Sequence, residues 1–422
     1  MTASPLRVAI IGMGGFAGEH HDLILRLEAR GECQLVCTCD PRIEEFTERW
    51  EALHFEERGV CLFRDYRDML AAFGDALDII TIPTPVPLHA PMHRAACRRG
   101  LAVYLEKPPT LNYKELESMI RAEKAAPKLT NVGFNYIIEP NRRALKARLA
   151  AGEFGVVREV RIFGRWTRGS IYYTRANWAG RLLLDDKLVL DSPMGNAMAH
   201  LAHNALYWAG DAPETWAPVV IERAELYHAH PIQGADTVFV EAETPGPVVR
   251  VAMTHACIGQ SRDYEEVICD DAVLTTRMGW APATGHYRDF TIRWTDGREE
   301  MERLSDFRHL DENFRAYFAY ARGEQPRPVT TLADSRPFVH LNDLAYLAAG
   351  RVTQIPDDAL RHERDDRWGA VLEIADIDDI MTRFLGTGAF PSAQDVPWAA
   401  PGGTATTKEL SRLADTVAMM VE

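Results

Sequence analysis

Hydrophobic positions in the first third of the chain follow two alternating rhythms. Mostly apolar, strand-like runs at residues 8–11, 34–39, 77–82, 101–105 and 129–134 alternate with stretches at 44–53, 66–73, 91–99 and 113–125, where apolar residues return at helical spacing. Such runs mark buried strands, and a three-to-four spacing marks an amphipathic helix. With a short segment at 61–63, they predict a parallel, doubly wound sheet from residue 6 to about 133. Beyond it, residues 157–166, 219–228, 237–243, 248–255, 265–275 and 290–294 read as strands rich in β-branched and aromatic side chains. Residues 310–322, 334–349, 374–384 and 408–420 read as helices, the last two joined by a Pro/Gly-rich linker at 390–407. An insertion-like region at 170–210 is dense in aromatics, arginine and histidine.

The first strand ends in a glycine cluster. Gly12, Gly14 and Ala17 fill the three fixed positions of the dinucleotide-binding fingerprint, with Gly15 and Phe16 in the same turn. The first position needs a tight turn, the second lets backbone approach a pyrophosphate, and the small third lets helix pack on strand. The helix behind it aims its unpaired N–H groups at phosphate. Asp40, closing the run at 34–39, stands where an acidic side chain meets the adenosine ribose. Its charge favours NAD, and Arg42 leaves NADP open.

Three further motifs carry a family resemblance. Thr84-Pro85 followed by His89 is similar to a T-P-N-x-x-H turn, with Val86 in place of the asparagine. Glu106-Lys107-Pro108 is an E-K-P signature after a strand, and Gly133-Phe134-Asn135-Tyr136 resembles a crossing into a second domain. Together they identify the chain as resembling the Gfo/Idh/MocA family of glucose-fructose oxidoreductase and inositol dehydrogenase over residues 6 to about 350. The resemblance implies a fold of an N-terminal Rossmann α/β domain followed by an α+β domain with an open, mostly antiparallel sheet. Three segments are expected: 1–133 for the dinucleotide, 134–355 for substrate and oligomerisation, and a helical extension at 356–422. Relatives pair sheet faces, so a homodimer or homotetramer is expected.

Composition narrows the partners. A net charge of -14 argues against nucleic acid or an anionic membrane surface. It does not exclude an anionic small-molecule substrate, which answers to local charge. No apolar run reaches the length of a membrane span, and residues 1–5 are too short for a signal peptide. Seven cysteines without disulfide-framework or zinc spacing point to a reduced, cytoplasmic setting and to no metal.

Lys107 is the leading catalytic candidate. The resemblance places it beside the nicotinamide, where a partly desolvated ammonium exchanges protons near neutrality. Glu106, Thr84, Pro85, His89 and Asn135 join the expected cofactor contacts. Asn196 and His200, four apart on an expected helix, would meet one ligand together. They fall on the family's D-x-x-x-H pair with Asn196 replacing the aspartate, so a carboxylate–imidazole proton relay is not supplied there. His203 falls where a second aspartate is common. Tyr136, Tyr173, Arg175, Trp178 and Arg181 are the remaining substrate candidates, since aromatic faces and guanidinium groups suit sugar rings and anionic substituents. The resulting expectation is an NAD(P)-dependent oxidoreductase of a sugar, sugar derivative or polyol, with Lys107, helped by His200, taking the hydroxyl proton. The alternative is a glycoside hydrolase or lyase that oxidises a sugar hydroxyl transiently, and a third class is a non-catalytic sensor.

Overall fold

The computed structural model describes residues 4–281 and 285–421. Residues 1–3, part of the opening stretch read as too short for a leader, lie outside them. The chain divides into two compact units, 1–110 with 114–138 and 308–335, and 111–113 with 139–307 and 336–422.

The first unit is built on a six-stranded parallel sheet in the order β3-β2-β1-β4-β5-β6. Its strands are β1 (Leu6–Ile11), β2 (Cys33–Cys39), β3 (Cys61–Phe63), β4 (Ile79–Ile82), β5 (Ala102–Leu105) and β6 (Asn131–Val132). Val8, Ile10, Ile79, Ala102 and Tyr104 form the core with helix Ala17–Glu28, which contributes Leu23, Ile24 and Leu27. The late segment 308–335 returns to this unit. Its helix His309–Ala321 stacks Phe314 on Tyr104 at 3.8 Å, and Asn313 Oδ1 accepts the Tyr104 hydroxyl at 3.1 Å. The expected division at 133 and 355 differs here, because no periodicity announces that a distant helix packs on β5.

The second unit carries a mixed, mostly antiparallel sheet. Its strands are β7 (Val157–Arg165), β10 (Ile221–His228), β11 (Thr237–Glu243), β12 (Val248–Thr254), β13 (Arg262–Cys269), β14 (Ala272–Ala281), β15 (Gly285–Trp294), β16 (Glu299–Ser305), β17 (Thr353–Gln354) and β20 (Thr404–Thr406); a two-residue pair β8 (Leu183–Leu184) and β9 (Lys187–Leu188) and a hairpin β18 (Leu360–Asp365) and β19 (Gly369–Ile374) stand apart. The order is β16-β15-β14-β13-β7-β12-β11-β10-β17, with β20 on β10; among the described residues β7–β12 and β10–β17 run parallel and the other pairs antiparallel. The expected single strand at 265–275 is two, broken by a turn at Asp270 and Asp271.

Residues 356–422 are more than helices, since β18, β19 and β20 lie in them. Helix Ile377–Thr387 sends Ile377, Ile380, Met381, Phe384 and Leu385 into one core with Phe163, Tyr227, Phe239 and Ala252 of the sheet. The sheet face expected to be open for pairing is therefore covered by the chain itself across β7, β10, β11 and β12. A buried ionic cluster braces the other strands. Arg142 bonds Glu139 at 2.9 Å and Glu265, which also accepts Trp208 Nε1 at 2.6 Å and Asn204 Nδ2 at 2.9 Å.

Candidate functional site

In the first unit the glycine turn is built as the fingerprint requires. Gly12 has φ +114°, a conformation L side chains rarely adopt, and donates to Cys39 O at 2.7 Å. An added Cβ would stand 3.3 Å from Ala17 Cβ, so the small Ala17 lets the helix begin against the turn. Among the described residues no side chain caps that helix, and the N–H groups of Ala17, Gly18 and Glu19 bond the turn carbonyls of Gly14, Gly15 and Phe16 at 3.2, 3.1 and 3.1 Å. At Gly14 the ring of Phe46 occupies the place a side chain would take, 3.0 Å from the Cβ position. Gly15 has φ +57°, and Phe16 is half exposed.

Asp40 closes β2 and ties the turn together. Its Oδ2 accepts Met13 N and its Oδ1 accepts Arg42 N, each at 3.0 Å. Arg42 itself is exposed and paired with Glu45 at 3.2 Å. This glycine turn and the carboxylate fit a dinucleotide with free ribose hydroxyls.

Around Lys107 the sequence candidates become a scaffold. The peptide bond Lys107–Pro108 is cis. Glu106, almost fully buried, accepts Lys107 N at 3.2 Å on one oxygen and faces His20 Nε2 at 3.1 Å with the other. His20 was not among the sequence candidates; its only signal is a histidine pair, His20-His21, on a helix face that turns out to be buried. His21 Nε2 lies 3.0 Å from Gly12 O, and burial lowers its pKa to about 3. His89, nominated for the cofactor, is instead buried between two turns. Its Nε2 lies 2.7 Å from Thr84 O and its Nδ1 3.0 Å from Pro108 O. Burial lowers its pKa, against the pull of those carbonyls. His89 thus lies between the Thr84-Pro85 and Pro108-Pro109 turns, and as a neutral ring it donates to one of them. Asn135 Oδ1 is buried without a protein partner, and the Tyr136 ring lies 5.2 Å from that of His309.

In the second unit Asn196 and His200 do not share one helix. Residues Pro193–Ala197 form a π-helical turn, Met198 breaks it, and helix Ala199–Ala209 begins afterwards. Ser192 Oγ accepts Gly195 N at 2.9 Å, and Pro193 follows it as the first turn residue. The helix start sits close on the sheet because β7 has Gly164 beneath it, where a Cβ would stand 2.6 Å from Met198 Sδ. Asn196 Nδ2 donates to Asp191 Oδ1 at 2.9 Å, and Asp191 Oδ2 accepts Gly180 N at 2.7 Å. A buried carboxylate is therefore present beside Asn196 after all, five residues upstream. His203 is fully buried against Trp216 and Phe338, and burial holds its pKa well below normal. It is a core residue.

The aromatic–arginine loop divides in two. The Arg175 guanidinium stacks 3.5 Å from the centre of the Tyr172 ring and 4.8 Å from that of Trp178. Tyr173 and Arg181, by contrast, line a cavity of about 830 Å³ wholly inside this unit. His228 and His230 after β10, Gln233, Gln354, and His362 and Leu372 of the C-terminal hairpin complete its wall. Sequence reasoning missed these, although the run His228-Ala229-His230-Pro231 at a strand end was there to be noticed. His255, buried, bonds Trp166 O at 2.8 Å through Nδ1. Its pKa is lowered to about 3 by burial and then by Arg168.

All seven cysteines are free thiols, and burial pushes Cys37 up to about 12. Among the described residues no group of three or more His, Cys, Asp or Glu is placed to hold a metal ion, and no helix is long and apolar enough to cross a membrane.

The fold and turn are those of a dinucleotide-binding Rossmann domain. Residues 6–134 match the sequence model of the Gfo/Idh/MocA oxidoreductase family, NAD-binding Rossmann fold. The D-glucoside 3-dehydrogenase of Escherichia coli is 27% identical over 157 residues, covering 37% of this chain and 42% of its own. A dTDP-3,4-didehydro-2,6-dideoxy-alpha-D-glucose 3-reductase of Actinomadura kijaniata is 27% identical over 311 residues, 72% of this chain and 76% of its own. The chain thus spans about two fifths of the length of the first curated relatives it matches. In fold it is similar to the WlbA dehydrogenase of Bordetella pertussis, solved with NADH and UDP-GlcNAcA, at TM-score 0.63 and 19% identity, over 80% of this chain and 94% of that one.

Proposed function

We propose that this chain is a cytoplasmic NAD-dependent dehydrogenase of a sugar, sugar derivative or polyol. The observation that carries the reading is the brace around Lys107, in a domain with an intact dinucleotide turn. Glu106 holds the Lys107 backbone N–H, and His89 Nδ1 stands against the carbonyls of the two prolines that follow. A braced lysine after a Rossmann strand suits proton transfer, whereas an unconstrained surface lysine needs no such scaffold. The bound nicotinamide supplies a hydride acceptor. The chain's own residues do the rest. Asp40 takes the adenosine ribose hydroxyls, and Asn135 Oδ1 accepts a further donor from the cofactor. Lys107 Nζ removes the substrate hydroxyl proton. Within the second unit, Asn196, oriented by Asp191, and His200 suit sugar hydroxyls, and Tyr173 and Arg181 line a cavity able to take a sugar ring. Names of relatives that act on glucosides and on a nucleotide-linked deoxysugar support this substrate class.

The test is to screen sugars and polyols with NAD while following the reduced-nicotinamide absorbance and substrate loss together. NADH formed one-for-one with substrate consumed is expected. Lys107→Ala should lower kcat by about 10²–10⁴-fold while leaving NAD affinity within about twofold. Glycoside cleavage with no accumulating NADH would move the chain to the transient-redox hydrolases. No turnover of either kind, with NAD still bound, would favour a sensor.

A further inference from the structure

Among the described residues, His230 has one nitrogen committed and one without a hydrogen-bond partner. Its Nδ1 lies 2.8 Å from Asp236 Oδ2, and a carboxylate only accepts, so in the neutral ring the proton sits on Nδ1. The same oxygen accepts Ala229 N at 2.9 Å and His230 N at 2.8 Å, and Thr237 Oγ1 donates to Oδ1 at 3.0 Å. Burial opposes the Asp236 charge, but these bonds outweigh it and hold the carboxyl below its usual range. The imidazole is therefore fixed in both orientation and tautomer. Nε2 remains a buried acceptor that no protein atom bonds, on a residue only 3% exposed that lines the 830 Å³ cavity.

Two more groups on that wall share this condition. The Tyr173 ring lies 4.9 Å from the His230 ring, and its buried hydroxyl has no protein partner. Burial and then Asp236 push its pKa well above normal, so it remains an O–H donor. Gln233 Oε1 is a third buried acceptor without a protein partner. Buried polar atoms in folded proteins are nearly always paired, and three on one wall mark a place where a ligand supplies the partners. Two acceptors beside a hydroxyl call for a ligand rich in O–H donors. Ala176, Ala179, Ile232 and Leu372 on the same lining offer apolar surface for the C–H face of a ring. The volume lies in the upper part of the range of about 300–1,000 Å³ for small-molecule sites, more than a single pyranose fills.

We propose that this cavity binds a glycoside of two or more rings through His230 Nε2, Gln233 Oε1 and Tyr173, with or without nicotinamide cofactor present. The proposal rests on the carbohydrate reading above and specifies its substrate as a glycoside rather than a free monosaccharide. Its test is calorimetric titration of the full chain without cofactor. The probes are glucose, galactose, mannose and glucuronate beside cellobiose, lactose and mannobiose. At least one disaccharide should bind about tenfold tighter than its own monosaccharide. Tyr173→Phe and His230→Gln should each weaken it about fivefold or more. Tyr173→Phe deletes an atom that no protein group bonds, so it reports even where His230→Gln fails to fold. Disaccharides that do not bind, or that bind Tyr173→Phe as tightly as the natural chain, would overturn the proposal. The two readings fail separately. Tight binding without NADH production removes the dehydrogenase and keeps the cavity. NADH production with KM unchanged in Tyr173→Phe does the reverse.

Discussion

Asp40 makes cofactor choice a single-residue question. Its carboxylate is positioned by two backbone N–H groups, so it cannot turn aside from a 2′-phosphate, while Arg42 is drawn off by Glu45. NAD is expected to bind at least tenfold tighter than NADP, about 1.4 kcal/mol. Titration of the cofactor-free protein with each measures this, and equal affinities would show Arg42 prevailing. A second residue carries a pH signature. Among the described residues, fully buried Glu222 has neither carboxyl oxygen hydrogen-bonded, and Asp343 on helix Arg336–Ala349 is a charged group acting on it. Burial and then Asp343 raise its pKa well above normal. A carboxyl raised in the folded state binds its proton there after the unfolded chain has released it, so stability falls as pH climbs above the unfolded pKa. Glu222→Gln removes that penalty. The variant should match the natural chain near pH 4 and exceed it by on the order of 1 kcal/mol or more near pH 8, read from denaturant midpoints. At this scale the sequence was legible where a motif fixes a residue's neighbours, as at Gly12, Asp40 and Glu106-Lys107-Pro108. His20, Asp191, Asp236 and Glu222 acquire their meaning from partners far along the chain or from burial, neither of which local spacing encodes.

At the scale of elements, burial accounts for part of what was legible, although β19 was missed with Val371, Leu372 and Ile374 buried. Strands β11 and β12 have the limits or nearly the limits that their apolar content predicts. The missed strands β16 and β18 read EEMERLS and LRHERD and are almost wholly exposed; with no buried face they carry no hydrophobic alternation to detect. The break between Asn196 and His200 escaped for another reason, since a π-helical turn preserves composition while shifting the face. Helix Ile377–Thr387 was visible, but its target was not. Phe384 on it is fully buried, 5.4 Å from Phe239 and 4.8 Å from Phe390 between ring centres. Phe384→Ala should therefore cost about 3–5 kcal/mol in chemical denaturation. A loss below about 1 kcal/mol would show that this helix is an ornament and that the sheet stands without it.

At the scale of the whole molecule, the chain order conceals which segments fold together. Residues 308–335 complete the parallel-sheet unit, and 336–422 return to the unit of the mixed sheet, so neither is a consecutive domain. This changes the expectation for assembly. A pairing surface was anticipated because the apolar positions of β11 and β12 had no visible cover. The cover is residues 377–385, with Phe390 and Trp398 packed alongside. A face already buried in its own chain has no apolar area left to offer a second copy. Light scattering at micromolar concentration is accordingly predicted to give a single 47.4 kDa species. Removal of residues 356–422 should uncover Phe163, Tyr227, Phe239 and Ala252 together, giving a species that self-associates or precipitates. A full-length dimer that persists when Phe384 is intact would place the contact elsewhere, and a truncated chain that stays monomeric and folded would show that the mixed sheet needs no cover.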